Sequence, residues 1–523
     1  MKTGRVIGGD EHDARALAQQ LVDDARAEAD RLREAVRVEI AQTRRDAAEL
    51  AQRLVQDARV EAERVAARTD AEAVRARDHA REGGGRRRST TAAGEPPAVD
   101  AAGARGAVGT VDEVVGLVIR ATVPGVALGE IVRIDRRDRE PLAAEVVGFR
   151  GEQAVVLPLG DVAGIAPAAG VWRTGAPLSI RCGEDLLGRV VDGIGAPLDD
   201  GPPLGGERWA VDRPAPAALS RPPIAVPQPT GVRVLDTMLT LGRGQRVGLF
   251  AAAGVGKSTL LGQIARGATA DVIVLCLVGE RGRELAELLR EELASARQRT
   301  VVVCATSDAP PLVRLRAIHT ATAIAEWFRD RCGASVLLLC DSLTRVARAQ
   351  REVGLSAGEP PARHGYPPSV FALLPRLIER TGATPHGVIT AIYTVLVAGN
   401  DLDEPIADEV RGLVDGHIVL DRRLAQRGHF PPIDVVASAS RLMMRVVEPD
   451  HAAAAARTRT RLAIYEDHRD LITLGAYQAG RDRAVDDAVL AYPAIERLVQ
   501  QRRDDLADWD ASIASLLTLA GPR

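Results

Sequence analysis

Lysine is almost missing from this chain of 523 residues. Of its 68 basic residues only two are lysines, Lys2 and Lys257, and arginine carries every other positive charge. Aromatic residues make up 3% of the chain, so the core has to be built mainly from Ala, Leu, Val and Ile. No run of about 18 apolar residues is available to cross a bilayer, and no apolar signal core opens the N-terminus. The five cysteines, Cys182, Cys276, Cys304, Cys332 and Cys340, lack metal-ligand spacing, and three fall in or at the end of strand-like apolar runs. They are expected to be buried, reduced thiols of a cytoplasmic protein. A net charge of −3 argues against a dominant electrostatic attraction to nucleic acid or anionic membrane. The length points to several domains.

Against that scarcity the position of Lys257 is informative. It follows the apolar run Val247-Gly248-Leu249-Phe250 and sits in Ala251-Ala252-Ala253-Gly254-Val255-Gly256-Lys257-Ser258-Thr259. This is the pattern of a phosphate-binding loop, in which backbone N–H groups wrap the phosphates and a compact ammonium fits between β- and γ-phosphate oxygens. A planar guanidinium, with its fixed donor fork, does not substitute there. Ala251 replaces the first glycine of the strict pattern, but Gly254 and Gly256 are present. Ser258 supplies the hydroxyl expected on Mg²⁺, and Thr259 could add a contact near the α-phosphate. The chain is therefore expected to bind a nucleoside triphosphate.

Four segments surround this loop. Residues 10–82 have almost no Gly or Pro and the composition of a long helix. Ala18–Ala29 recurs 33 positions later as Ala51–Ala62. Leu21, Leu32, Thr43, Leu54 and Val65 fall at eleven-residue steps, a period that favours a straight or right-handed coiled coil. Because Ala fills much of the seam, a solvated single helix is the competing reading. Gly83–Gly106, which contains Arg86-Arg87-Arg88, reads as a flexible linker. Residues 107–182 carry the short strand-like pieces Val114–Arg120, Glu130–Ile134, Leu142–Phe149 and Gln153–Leu157, suggesting a small β-barrel.

Residues 183–455 contain buried-type runs at Arg246–Phe250, Val272–Val278, Thr300–Cys304, Val336–Cys340 and Val388–Leu396. Helix-length stretches separate most of them, so an α/β core with a parallel sheet is expected. Residues 456–523 have a helical pattern.

Two carboxylates end such runs. Asp341 closes Val336-Leu337-Leu338-Leu339-Cys340, where it could hold Mg²⁺ opposite Ser258 or cap the following helix. Glu280 follows Val278-Gly279, where it could orient and polarise an attacking water, with Arg281 organising charge at the γ-phosphate. A solvated loop with a surface ion pair is the other reading of Glu280 and Arg281.

These motifs, together with Gly279-Glu280-Arg281-Gly282-Arg283-Glu284, Asp341-Ser342-Leu343-Thr344-Arg345, Arg348-Ala349-Gln350-Arg351-Glu352, Gly358-Glu359-Pro360-Pro361, Gly365–Phe371 and Asp415–Leu420, resemble the type III secretion ATPase family. That family is related to the catalytic head of rotary ATP synthases, and the resemblance covers roughly residues 108–515. It implies a β-barrel, a RecA-like P-loop NTPase core and a helical C-terminal domain, assembled as a homohexamer that hydrolyses ATP with Mg²⁺. It gives Lys257, Glu280 and Asp341 the roles just argued.

Two more residues come from the comparison alone. Phe430 matches the aromatic that packs on adenine, and Arg441 matches the arginine finger that reaches a neighbouring subunit's nucleotide. By themselves they would read as a core phenylalanine and a helix-edge arginine. The loop Gly354–Gly365 matches a region that faces the central channel. Implied partners are stator and central-stalk proteins, export substrates and chaperones, and an export gate at the inner membrane. Asp408–Arg411 and Val108–Leu128 look closer to the injectisome branch than to the flagellar one.

The long N-terminal segment departs from the family's short helical region and resembles a stator fused in cis. Two other functions share the core. A hexameric RNA or DNA translocase would need a basic, aromatic face on the barrel, yet residues 107–182 offer only Phe149 and Trp172. A non-hydrolysing ring subunit is opposed by Glu280.

Overall fold

The computed structural model describes residues 109–397 and 402–521. The expected coiled coil over 1–82 and the linker over 83–106 lie outside the described residues.

Six antiparallel strands form the first unit: β1 (Gly109–Val115), β2 (Val118–Thr122), β3 (Glu130–Arg136), β4 (Arg139–Arg150), β5 (Gln153–Pro158) and β6 (Gly170–Pro177). They close in the order β1-β2-β5-β4-β3-β6. The alternating residues Ile119 and Ala121, Val132 and Ile134, Leu142, Ala144 and Val146, and Ala154 and Val156 fill the interior, as period-two patterning requires. The run Val114–Arg120, read above as one strand, is a hairpin. Gly116 takes a φ of +60° and turns the chain, so that Val115 pairs with Val118. The barrel also ends before residue 182, because β7 (Ser179–Cys182) pairs with β9 (Glu207–Ala210) as a separate two-stranded ribbon.

The core sheet combines β8 (Val190–Asp192), β10 (Arg246–Ala251), β11 (Val272–Glu280), β12 (Thr300–Thr306), β13 (Ser335–Asp341), β14 (Gly382–Ala383), β15 (Val388–Leu396), β16 (Gly416–Leu420) and β17 (Ile433–Ser440). Its order is β8-β12-β11-β13-β15-β10-β16-β17, with β14 attached beside β15. The pairs from β8 to β16 are parallel, whereas β17 runs antiparallel to β16. Every residue of β11 and β13 is buried.

Alternation divides those strands between two packed faces. Val336, Leu338 and Cys340 pack with helices Pro311–Cys332, Leu343–Ala357 and Pro368–Ile378. Leu337 and Leu339 face helix Lys257–Gly267 and the C-terminal helices on the other side. Cys276 and Cys340 lie opposite each other in register and, with Cys182 and Cys304, are buried free thiols. Cys332 departs from the expectation and is exposed. It is the last residue of helix Pro311–Cys332, just before Gly333 ends the helix in a left-handed conformation with φ +66°.

The barrel is tied to the core through charge. Arg316 on helix Pro311–Cys332 donates from Nε to Glu145 of β4 at 2.8 Å and from Nη1 to Asp212 at 2.8 Å. Asp212 in turn accepts from His319 Nδ1 at 2.9 Å. Burial pushes the Glu145 carboxyl up, against the opposing pull of Arg316. Removing Arg316 would leave the Glu145 carboxyl buried without its cation, the costly way to break such a pair.

The C-terminal helices are Pro449–Thr473, Arg483–Val499 and Trp509–Ala520. The first begins with Pro449 in its first turn, a position that a missing N–H and a fixed φ favour. The boundary expected at 455/456 therefore falls inside a helix.

Candidate functional site

Strand β10 ends at Ala251, and helix Lys257–Gly267 starts after the turn 252–256. Gly254 and Gly256 carry φ values of +77° and +97°, the left-handed region that glycine enters without a steric cost. A Cβ added at either position meets no protein atom within 4 Å, so the space above both is open. No side chain caps helix Lys257–Gly267, which leaves its first N–H groups available to an anion. Val255 is buried in the core and anchors the loop. Ser258 is exposed.

Beside the loop lie the ends of β11 and β13. Leu277 is in register with Asp341, and β11 runs three residues further to Glu280, which pairs with Thr306 of β12. Lys257 Nζ is paired with Asp341 Oδ1 and stands 4.0 Å from Glu280 Oε1. Asp341 Oδ1 also accepts from the Thr394 hydroxyl of β15 at 2.9 Å. Glu280 Oε1 meets Arg345 Nη2 at 3.1 Å. Gly279 makes that contact sterically feasible, since a Cβ there would lie 3.0 Å from Arg345 Cδ.

The Glu280 carboxyl is pushed up to about 7, first by burial, then by a hydrogen bond with Glu284 and the nearby Asp341 charge; Lys257 and Arg345 oppose the rise. A carboxyl balanced near neutrality, within reach of Lys257 at the start of the glycine loop's helix, is suited to polarising or deprotonating water. Arg345, Glu284 and Thr394 were not singled out from sequence. Arg345 had a signal, because it lies four residues beyond Asp341 on the helix that leaves the same strand end.

A cavity of about 770 Å³ opens next to the loop, lined by Gly256, Thr259, Gln263, Phe430, Pro431 and Arg502 among others. Phe430 is 49% exposed beside it, which is not the environment of a core phenylalanine. The Phe430 carbonyl accepts from Gln501 N at 2.9 Å. Gln501, itself buried, accepts from Arg233 N at 2.7 Å and donates to the Gly231 carbonyl at 2.9 Å. The segment Gln500–Asp505 thus forms one wall, a contribution that no motif in the sequence announced.

Two candidates stand apart from the cluster. Arg281 has a side chain 76% exposed and reaches Glu284 at 3.9 Å, so Arg345 is the guanidinium beside Glu280. Arg441 is exposed, donating from N to the Asp415 carbonyl and from Nη2 to the Arg411 carbonyl at 3.2 Å. Asp415 binds Arg246 at the first residue of β10, whereas the phosphate loop follows the last. Arg441 and Lys257 therefore sit at opposite edges of one sheet.

The donor set also bears on a divalent ion. Among the described residues, no three His, Cys, Asp or Glu side chains gather as a metal cage. One serine hydroxyl and one carboxylate fit Mg²⁺, which keeps waters and draws further oxygen ligands from substrate phosphates.

Barrel, parallel core and glycine loop together define a P-loop nucleotide-binding protein on the plan of the ATP synthase α/β subunits. Residues 111–175 match the β-barrel domain of the ATP synthase alpha/beta family, residues 231–440 its nucleotide-binding domain, and residues 447–518 the T3SS EscN ATPase C-terminal domain. The chain is 48% identical over 417 residues to the flagellum-specific ATP synthase of Bacillus subtilis, covering 79% of this chain and 95% of that protein. It is 47% identical over 414 residues to the type 3 secretion system ATPase of Xanthomonas euvesicatoria, covering 79% and 93%.

The structure of the assembled ATPase EscN from the enteropathogenic E. coli type III secretion system superimposes with a TM-score of 0.75. The identity is 44%, over 79% of this chain and all of that one. The chain belongs to the family of type III secretion and flagellum-specific ATPases, and its activity is ATP hydrolysis. These relatives give no support to a nucleic-acid translocase or a non-hydrolysing subunit. Among the described residues, no helix is long and apolar enough to cross a membrane.

Proposed function

We propose that this chain hydrolyses MgATP at sites shared between six identical subunits and thereby energises protein export at a type III secretion apparatus. The observation that carries the reading is the approach of Glu280 to within 4.0 Å of the phosphate-loop lysine. In it, Lys257 and the loop amides hold the phosphates, Ser258 and Asp341 hold the metal, and Glu280 aims the water. Thr259 and Phe430 contact the nucleotide, and Arg281 at the rim meets charge near the γ-phosphate once a neighbour closes over it. The ion would supply charge neutralisation at the phosphates.

Arg441 supports a ring because it cannot reach its own loop across the sheet, yet a copy of it on the adjacent subunit could complete the site. A solved relative at 43% identity is the assembled EscN in complex with its central stalk EscO. By that likeness a stalk protein engages this ring as well. Export substrates, their chaperones and an export gate at the cytoplasmic face of the inner membrane complete the expected partners. The proposed membership of the injectisome branch rests on Asp408–Arg411 and Val108–Leu128.

The eleven-residue period of the N-terminal segment supports a stator fused in cis, which raises its effective concentration at the ring. Deleting residues 1–90 should impair docking to the export apparatus while leaving basal hydrolysis of the head intact. Unchanged docking would remove the idea.

Retention of nucleotide and release of phosphate test the catalytic assignment together. Glu280→Gln should keep ATP bound and stop turnover, whereas Lys257→Ala should lose both. Full turnover in either variant refutes it.

A further inference from the structure

Asp341 ends β13, and the neighbouring strand β15 carries a threonine abreast of it. Tyr393 is in register with Cys340, and Thr394 is in register with Leu249 of β10 on the other side. Thr394 is thus on the strand between the one that leads into the phosphate loop and the one that delivers Asp341. Its hydroxyl is fully buried, and it donates to Asp341 Oδ1 at 2.9 Å. A valine would fill the same volume without burying a hydroxyl, which is costly unless the group is hydrogen-bonded. Here its one donated bond goes to the carboxylate.

The distribution of donors on Asp341 gives this bond a purpose. Lys257 and Thr394 both bond to Oδ1, and among the described residues no hydrogen bond is made to Oδ2. When the lysine ammonium moves onto phosphate oxygens, Thr394 is the donor that still holds the carboxylate.

We infer that Thr394 is a positioning residue: its hydroxyl fixes the rotamer of Asp341, keeping Oδ2 presented to the divalent ion through the nucleotide cycle. The inference rests on the assignment of Asp341 to that ion. Outer partners of this kind orient a ligand that they do not replace, and their loss typically weakens metal affinity by about 10–100-fold.

The test is a MgCl₂ titration of full-length protein, followed by the fluorescence of an N-methylanthraniloyl ATP analogue, with phosphate release measured in parallel. Thr394→Val keeps the branched shape and removes the hydroxyl, Thr394→Ser keeps the hydroxyl, and Asp341→Asn is the control. The Mg²⁺ midpoint for analogue binding should rise about tenfold or more in Thr394→Val and return to within about twofold of wild type in Thr394→Ser. Analogue affinity in EDTA should be the same in all three Thr394 forms. An unmoved midpoint in Thr394→Val, or equal losses in Val and Ser, overturns the inference. If Asp341→Asn shifts the midpoint and Thr394→Val does not, only the role of Thr394 fails. If Asp341→Asn leaves it unmoved, the metal assignment fails too.

Discussion

The charge state of Glu280 should set the acidic limb of the rate profile. Its carboxyl is held near 7 rather than at its ordinary value of 4.5 by burial, the Glu284 hydrogen bond and the Asp341 charge. If the ionised form aims the water, kcat/KM follows its titration in the free enzyme. A group of pKa about 7 is roughly 9% ionised at pH 6 and roughly 91% at pH 8, so the rate should change about tenfold. An unperturbed glutamate would give a flat profile across that range. Removing a contributor should move the limb predictably. Glu284→Ala takes away a hydrogen bond that raises the pKa, and should shift the limb to lower pH. Arg345→Met takes away a cation that lowers it, and should shift the limb to higher pH.

Stability gives an independent reading of the same group. The folded-state value lies above the unfolded one, so the favourable contribution is complete below about 4.5 and disappears as pH rises through about 7. Nucleotide-free Glu280→Gln should therefore melt above wild type at pH 8, with the gap narrowing toward pH 5. A wild-type kcat/KM that is level between pH 6 and 8 refutes the reasoning, as does a limb that Glu284→Ala and Arg345→Met leave in place.

Two further outcomes follow from packing. Phe430→Ala should raise the KM for ATP about tenfold, the scale of a lost base–aromatic contact, while Phe430→Tyr stays near wild type; equal KM values in all three proteins would take Phe430 out of the nucleotide pocket. Phe328, buried against the edge of Trp327 with ring centroids 4.9 Å apart, should cost about 3–5 kcal/mol on truncation to Ala. Denaturant unfolding reads this directly, and a loss below about 1 kcal/mol would contradict that packing.

The candidate site's main parts could be proposed from residue types. A lone lysine after an apolar strand marked the loop, and strand-terminal carboxylates marked Asp341 and Glu280. Strand β15 was legible residue for residue, because a parallel strand buried on both faces is a mostly apolar, β-branched run without charges. The hairpin at Gly116 was harder, since Val114–Arg120 has no turn signal beyond that glycine. What stayed hidden depends on contacts between distant segments. Arg345 and Arg281 are equally plausible neighbours of Glu280 until the helix after β13 brings one of them alongside. Thr394 looks like any β-branched strand residue, and Gln501 reaches residues 231–233 across more than 260 positions.

The decisive measurement is hydrolysis by a mixture of two inactive proteins. Alone, Arg441→Ala should lose about 10³-fold in rate, and Glu280→Gln should not turn over. In rings assembled from equal amounts of both, an Arg441→Ala subunit supplies an intact Glu280 wherever its neighbour supplies an intact Arg441. About one site in four is then complete in a ring of six, and phosphate release should recover toward that fraction of wild type. A mixture that forms rings yet remains as inactive as its components would contradict a site shared across the subunit boundary.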